Sequence, residues 1–138
     1  MKYSQADIIK LLNGIFEGTI TPYELPEDLY FAIADYLKKA VYLGFGATLD
    51  TVDETDLDLL TQLRENVYMF SAAKTYQETR AMADLLTDGE RLRTFAEFKE
   101  EALKVYEQYN EDWLKTEYNT AVGQADAAVK WNEIEKNK

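Results

Sequence analysis

The sequence predicts an all-α protein: a long antiparallel helical hairpin with two shorter N-terminal helices packed on it. Three observations carry that reading. Thr94 to Glu135, close to a third of the 138 residues, holds no proline and a single glycine, Gly123, and is rich in Glu, Lys, Ala and large apolar residues. Both prolines of the chain, Pro22 and Pro26, fall within one short segment. Elsewhere apolar residues recur three and four apart, which is the period of one helix face.

The first helix is predicted from about Gln5 to Glu17, with Ile8, Ile9, Leu11, Leu12, Ile15 and Phe16 at helical spacing. Ser4 to Asp7 resembles a capping box, with Asp in place of the preferred Glu or Gln, and Gly18 is a stop. Thr19 to Pro26 must be a connector, because the residue before each proline is pushed out of helical space. A second helix starts with Pro26 at its first position and Glu27 and Asp28 near its positive end. Leu29, Phe31 or Ala32, Ile33, Tyr36, Leu37, Ala40 and Val41 supply its buried stripe to about Leu43, where Gly44-Phe-Gly46 breaks it.

An acidic loop follows over residues 47–55, and Asp53 or Thr55 would cap the next helix. The third helix is expected from about Asp56 to Leu86, ~45 Å at 1.5 Å per residue. Leu60, Leu63, Val67 and Phe70 form a packing seam. The seam fades through Ser71 to Gln77, where Lys74 falls on the expected apolar line and is read as snorkelling to the interface edge. Thr87 to Glu90 is a turn signal in which Gly89 can take positive φ.

Thr94 to Glu97 is a good capping box and opens the long helix. Phe95, Phe98, Ala102, Val105, Tyr109 and Trp113 make one line, and Leu114, Tyr118, Ala121, Ala125 and Val129 a second. If straight, this helix would be ~60 Å long. It must therefore project from the domain or bend, and Gly123 is the expected bend. Only its first half is expected in the core, with Trp113 to Trp131 meeting a partner.

Composition narrows the functional classes. With 46% aliphatic and aromatic residues and 30% charged, the chain is globular and the size of one domain. A net charge of −11 argues against a protein that neutralises many phosphates, and favours basic partners or self-repelling monomers. Residues 1–60 carry four Lys or Arg against eleven acids, and the remainder eleven against fifteen. The absence of cysteine removes disulfides and thiolate sites, and the absence of histidine removes the commonest general base and ordinary zinc sites. No run approaches the roughly 18–20 apolar residues of a membrane span, and no signal-peptide core follows Met1, so a cytosolic product without membrane attachment is expected.

No constellation carries chemistry clearly. With Glu54 at position one, Asp56, Asp58 and Glu65 reach EF-hand positions three, five and twelve, but Leu59 stands where the turn needs glycine. A carboxylate-metal hydrolase would instead gather Asp50, Asp53, Glu54, Asp56 and Asp58 around magnesium. The four-residue pairs Glu100–Lys104 and Glu107–Glu111 read as solvated face charges. Aromatic residues fall on helical stripes without interleaved basic residues, so packing is preferred to base stacking and no direct nucleic-acid binding is expected. No catalytic residue, cofactor or metal is assigned.

Two segments carry a resemblance: Glu65 to Gln77 continuing to Leu85-Leu86, and Phe95-Ala-Glu-Phe98 through Tyr109-Asn110, Trp113 to Ala121 and Ala127 to Trp131. Together they resemble the N-terminal helical region of phage head morphogenesis proteins, the Mu F-like minor head family, over about residues 60–135. That family's Cys- and His-bearing C-terminal signature is not among these residues, so the chain is expected to be the N-terminal part of a longer protein. The resemblance implies a non-enzymatic minor component of a phage or prophage head. It would bind portal, scaffold or capsid proteins near the portal through helical faces, in the cytoplasm during assembly and in the virion afterwards. Candidate packing or interface residues are Phe70, Tyr76, Tyr109, Trp113, Tyr118 and Trp131. A stand-alone helical adaptor or regulator of the bacterial host is the alternative, and homo-oligomerisation stays open.

Overall fold

The computed structural model of the protein describes residues 1–46 and 54–136. α1 spans Gln5–Glu17, and its N-terminus carries the full capping box: the Ser4 hydroxyl accepts from the Asp7 amide while the Asp7 carboxylate accepts from the Ser4 amide. Gly18, in the left-handed region, ends the helix. α2 spans Glu27–Phe45, with Pro26 just outside it rather than at its first position.

The break predicted at Gly44-Phe-Gly46 falls at its last residue. α2 continues through Gly44 and stops at Gly46, whose φ of 71° suits a residue without Cβ. Gly44 serves packing instead. A Cβ at this position would collide with the Val122 carbonyl oxygen, so glycine lets two helices meet backbone to backbone.

α3 spans Glu54–Ala83 and tightens into a 3₁₀ turn at Asp84–Leu86. Thr55 is therefore inside the helix and not its cap, while Asp53 lies outside the described residues. An antiparallel bridge between Thr87 and Leu92 closes the connecting turn. Within it Asp88 accepts from the Glu90 and Arg91 amides, and Arg93 donates to the Leu85 and Thr87 carbonyls. α4 spans Phe95–Glu107 behind the predicted Thr94–Glu97 capping box, and Arg91 clamps Glu97 with two hydrogen bonds of 3.1 and 2.7 Å.

The long helix is interrupted, but not at Gly123. A π-turn occupies Gln108–Trp113, with the Leu114 amide donating to the Tyr109 carbonyl, and α5 runs on from Leu114 to Lys136. Its cause is legible in what it buries. Phe98, Ala102, Tyr106 and Leu114 are buried, and Asn110 and Tyr118 are partly so, at four-residue steps. Each such step overshoots a helix turn by about 40°, so an ideal helix would carry this stripe away from the core. One extra residue in the π-turn winds it back. The two apolar lines in the sequence are thus one face, reset.

α3 and the α4–α5 arm form the antiparallel hairpin. Glu78 faces Asn110, Lys74 faces Trp113, and Leu63–Phe70 lies across from Glu117–Gln124. The two N-terminal helices fill it differently. α1 packs at the closed end, where Phe16 meets Phe95 edge-on at 5.3 Å and Phe98 at 5.9 Å, and Tyr3 before it stacks on Tyr106 at 6.0 Å. α2 is inserted between the arms at the open end and packs chiefly on α5. The second half of the long helix is therefore core after all: Leu114 and Ala125 are fully buried and Tyr118 lies 4.7 Å from Tyr36.

Candidate functional site

The described residues contain no group of three or more side chains able to hold a metal ion. Glu54, Thr55 and the residues after them are helical, which removes the loop an EF-hand would need at Glu54, while Asp50 and Asp53 lie outside the described residues. Lys104 pairs with Glu101 at 3.2 Å rather than with Glu100, on the solvated face.

Two places on the hairpin hold unusual chemistry. The first is where its arms touch. On α3 the buried line continues past Val67 as Ser71, Thr75, Glu78 and Met82, so the apolar seam passes into polar residues without leaving the core. Thr75 and Thr79 satisfy their hydroxyls on the carbonyls of Ser71 and Thr75, at 2.7 and 2.8 Å. Glu78 is fully buried and accepts a hydrogen bond from the Asn110 side chain, which also donates to the Tyr106 carbonyl. Burial pushes its carboxyl up to about 8, against the opposing pull of the Asn110 hydrogen bond and the Lys74 charge. Burial thus favours the protonated form of Glu78. Its second oxygen and the Asn110 side-chain oxygen have no hydrogen-bond partner among the described residues. Tyr3 and Tyr106 beside it are raised by the same burial.

Lys74 does not snorkel. It is 6% exposed, and its amine lies 5.8 Å from the Phe70 ring, 5.3 Å from Tyr109 and 5.8 Å from Trp113. Burial lowers its pKa, with the acidic groups of Glu78 and Glu117 pulling the other way. Ring faces hold a cation where, among the described residues, no carboxylate comes within ion-pair distance. The π-turn supplies Tyr109, Asn110 and Trp113 together, so one local rewinding positions both the cage and the Glu78 partner.

The second place is where the arms part. α3 and α5 both lean on α2 but barely meet, leaving a cleft of about 310 Å³. Leu37 and Val41, almost fully buried, form its floor, Leu63, Asn66, Val67 and Phe70 one wall, and Glu117, Thr120, Ala121 and Gln124 the other. A larger hollow of about 690 Å³ lies where the N-terminus crosses α2. It is lined by Asp7, Asp28 and Asp35 together with Lys2, Lys38 and Lys39, a mixture of both signs of charge.

The six aromatic candidates divide. Phe70 and Trp113 are partly exposed at the end of the cleft nearer the cage, and Tyr76 is partly exposed further along α3. Trp131 is 63% exposed near the other end of α5. Tyr109 and Tyr118 are half-buried, one on Trp113 and the other on Tyr36. Sequence reasoning misses Glu78 and Asn110. The signal is present as the spacing Val67, Ser71, Thr75, Glu78, Met82, which keeps the helical period without keeping hydrophobicity.

No protein-family model, no curated protein and no solved structure matches this chain.

Proposed function

We propose that this protein is a non-enzymatic assembly component of a phage or prophage head, binding other head proteins through the faces of its long helices. The observation that carries the reading is a hairpin whose arms leave large apolar side chains and an open cleft toward solvent. Met69 is 73% exposed, Trp113 45% and Trp131 63%, on helices whose opposite faces are buried. Such surface on a strongly acidic chain suits association with a partner better than catalysis. The resemblance of residues 60–135 to the Mu F-like minor head proteins supplies the biological setting, with portal, scaffold or capsid proteins as partners and the virion head as destination. The described residues contain no helix long and apolar enough to cross a membrane.

The test is affinity capture with the tagged full chain from an induced lysogen, with mass spectrometry of what co-purifies. Portal, scaffold or capsid protein should be recovered, and the chain itself found in purified particles. Recovery of host proteins only, with the chain absent from particles, would replace this reading by a host adaptor.

A further inference from the structure

Two buried oxygens lack a donor where the arms of the hairpin touch. Glu78 is fully buried, and its Oε2 and the Oδ1 of Asn110 have no hydrogen-bond partner among the described residues. Such orphans are uncommon, because burial without a partner is costly. The orientation of the Asn110 amide is fixed by its neighbours. Its Nδ2 donates both to Glu78 Oε1 and to the Tyr106 carbonyl, so turning the amide over would set oxygen against two acceptors.

The groups around Glu78 supply no donor for these oxygens. On its own helix Lys74 stands one turn earlier, with its amine turned to Phe70, Tyr109 and Trp113. Tyr106 on α4, Tyr109 in the π-turn and Tyr3 before α1 feel the Glu78 charge, but none donates to it among the described residues. Asp7 and Glu111, which act on Tyr106, and Glu117, which acts on Lys74, are acids and bring no donor. A protonated carboxyl has what is missing, since its O–H turns one acceptor into a donor. An acid and a primary amide pair side by side through N–H to the acid carbonyl and O–H to the amide oxygen. The first of these bonds joins Asn110 to Glu78. A proton on Oε2 makes the second and satisfies both orphans.

We propose that a proton on Glu78, donated to Asn110 Oδ1, latches α3 to the π-turn, and that its loss releases the closed end of the hairpin. Tyr109, Asn110 and Trp113 share that π-turn, so the latch and the ring cage over Lys74 open together. The bare carboxylate would face the Asn110 oxygen acceptor to acceptor and draw Lys74 out of the rings toward it. Burial makes the folded acid hold its proton to higher pH than the unfolded one, so the latch is shut at low pH and released as pH rises. The device is independent of which proteins the chain assembles with.

The test is carbon-13 and proton NMR of the full chain from about pH 5 to about pH 10. The Glu78 carboxyl carbon should titrate near 8, and below that pH a low-field carboxyl proton should show a nuclear Overhauser contact with the Asn110 amide protons. In a Trp131→Phe chain Trp113 is the one tryptophan left, and its emission should shift with the same midpoint. Glu78→Gln offers Asn110 the same two hydrogen bonds without a titrating proton and should abolish that transition, which tyrosine ionisation alone would leave in place. Lys74→Met removes the cation that favours the carboxylate and should move the midpoint to higher pH. An ordinary carboxylate midpoint for Glu78, as an ion pair with Lys74 or a bridging water would give, overturns the proposal. So does a high midpoint to which neither the Asn110 amide nor Trp113 responds, since that acid would latch nothing.

Discussion

The two ends of the hairpin solve the same packing problem in opposite ways. At the closed end the arms touch, and the contact is polar and aromatic: Glu78 with Asn110, Lys74 among Phe70, Tyr109 and Trp113, and α1 sealing the side through Phe16 and Tyr3. At the open end α2 lies between the arms, and what remains between them is a shallow cleft of mixed polar and apolar lining. Polar groups are placed where burial is complete and register must be specific. The buried polar contacts thus align the hairpin at its closed end, while α2 fills the open one.

If the closed end is the structural anchor, the heaviest loss should come from emptying it. Phe98 is completely buried there, and Phe98→Ala should cost about 3–5 kcal/mol by lost burial and the cavity left behind. Chemical denaturation should show a larger fall than Gly44→Ala produces at the open end. A loss below about 1 kcal/mol would mean that the closed end is loosely packed.

Glu78→Gln tests the polar contact through its pH dependence. The folded carboxyl titrates near 8 and the unfolded one near its ordinary 4.5, so between these values the folded state keeps a proton that the unfolded state has lost. Stability of the wild type should therefore be full below the unfolded value, fall by up to about 1.4 kcal/mol per pH unit as pH rises toward 8, and level off above it. The Gln variant lacks this slope. Its melting temperature should exceed that of wild type at pH 8, and the two should converge near pH 5. Parallel profiles would show that Glu78 is ionised in the folded protein.

Two glycines at the open end should respond with opposite signs. Gly44→Ala places a methyl against the Val122 carbonyl, a backbone atom that cannot swing aside, and should cost about 1–3 kcal/mol by prising α5 from α2. Gly123 has nothing within 4 Å of an added Cβ and lies inside α5, so Gly123→Ala should stabilise by about 0.5–1 kcal/mol, the smallest effect. Thermal melts of both variants check the pair. Equal and small shifts would remove the claim that α2 and α5 meet through their backbones.

Much of this fold is legible in the sequence because its signals are local. Ser4 with Asp7, Thr94 with Glu97, and Gly18 act over a few residues, and the helices they cap begin or end where they place them. The site is legible only in outline. Helical spacing picks out exposed aromatics on α3 and α5, but it puts Lys74 at the surface, because a lysine's solvation is favourable unless a specific cage replaces it. That cage needs Tyr109 and Trp113, which the chain brings back only after the whole turn at residues 84–94.

Local chemistry along the chain is enough to make this protein helical, to start and stop most of its helices, and to give it a net charge of −11. Three features arise only when distant segments pack. Gly44 becomes a helix–helix contact, leaving the stop to Gly46, because the Val122 backbone occupies the space its side chain would need. The long helix rewinds at Gln108–Trp113 because one face has to stay on the core for longer than 3.6 residues per turn allows. Glu78 keeps its proton because a partner 32 residues away in the chain, and the burial that comes with it, exist only once the hairpin has closed.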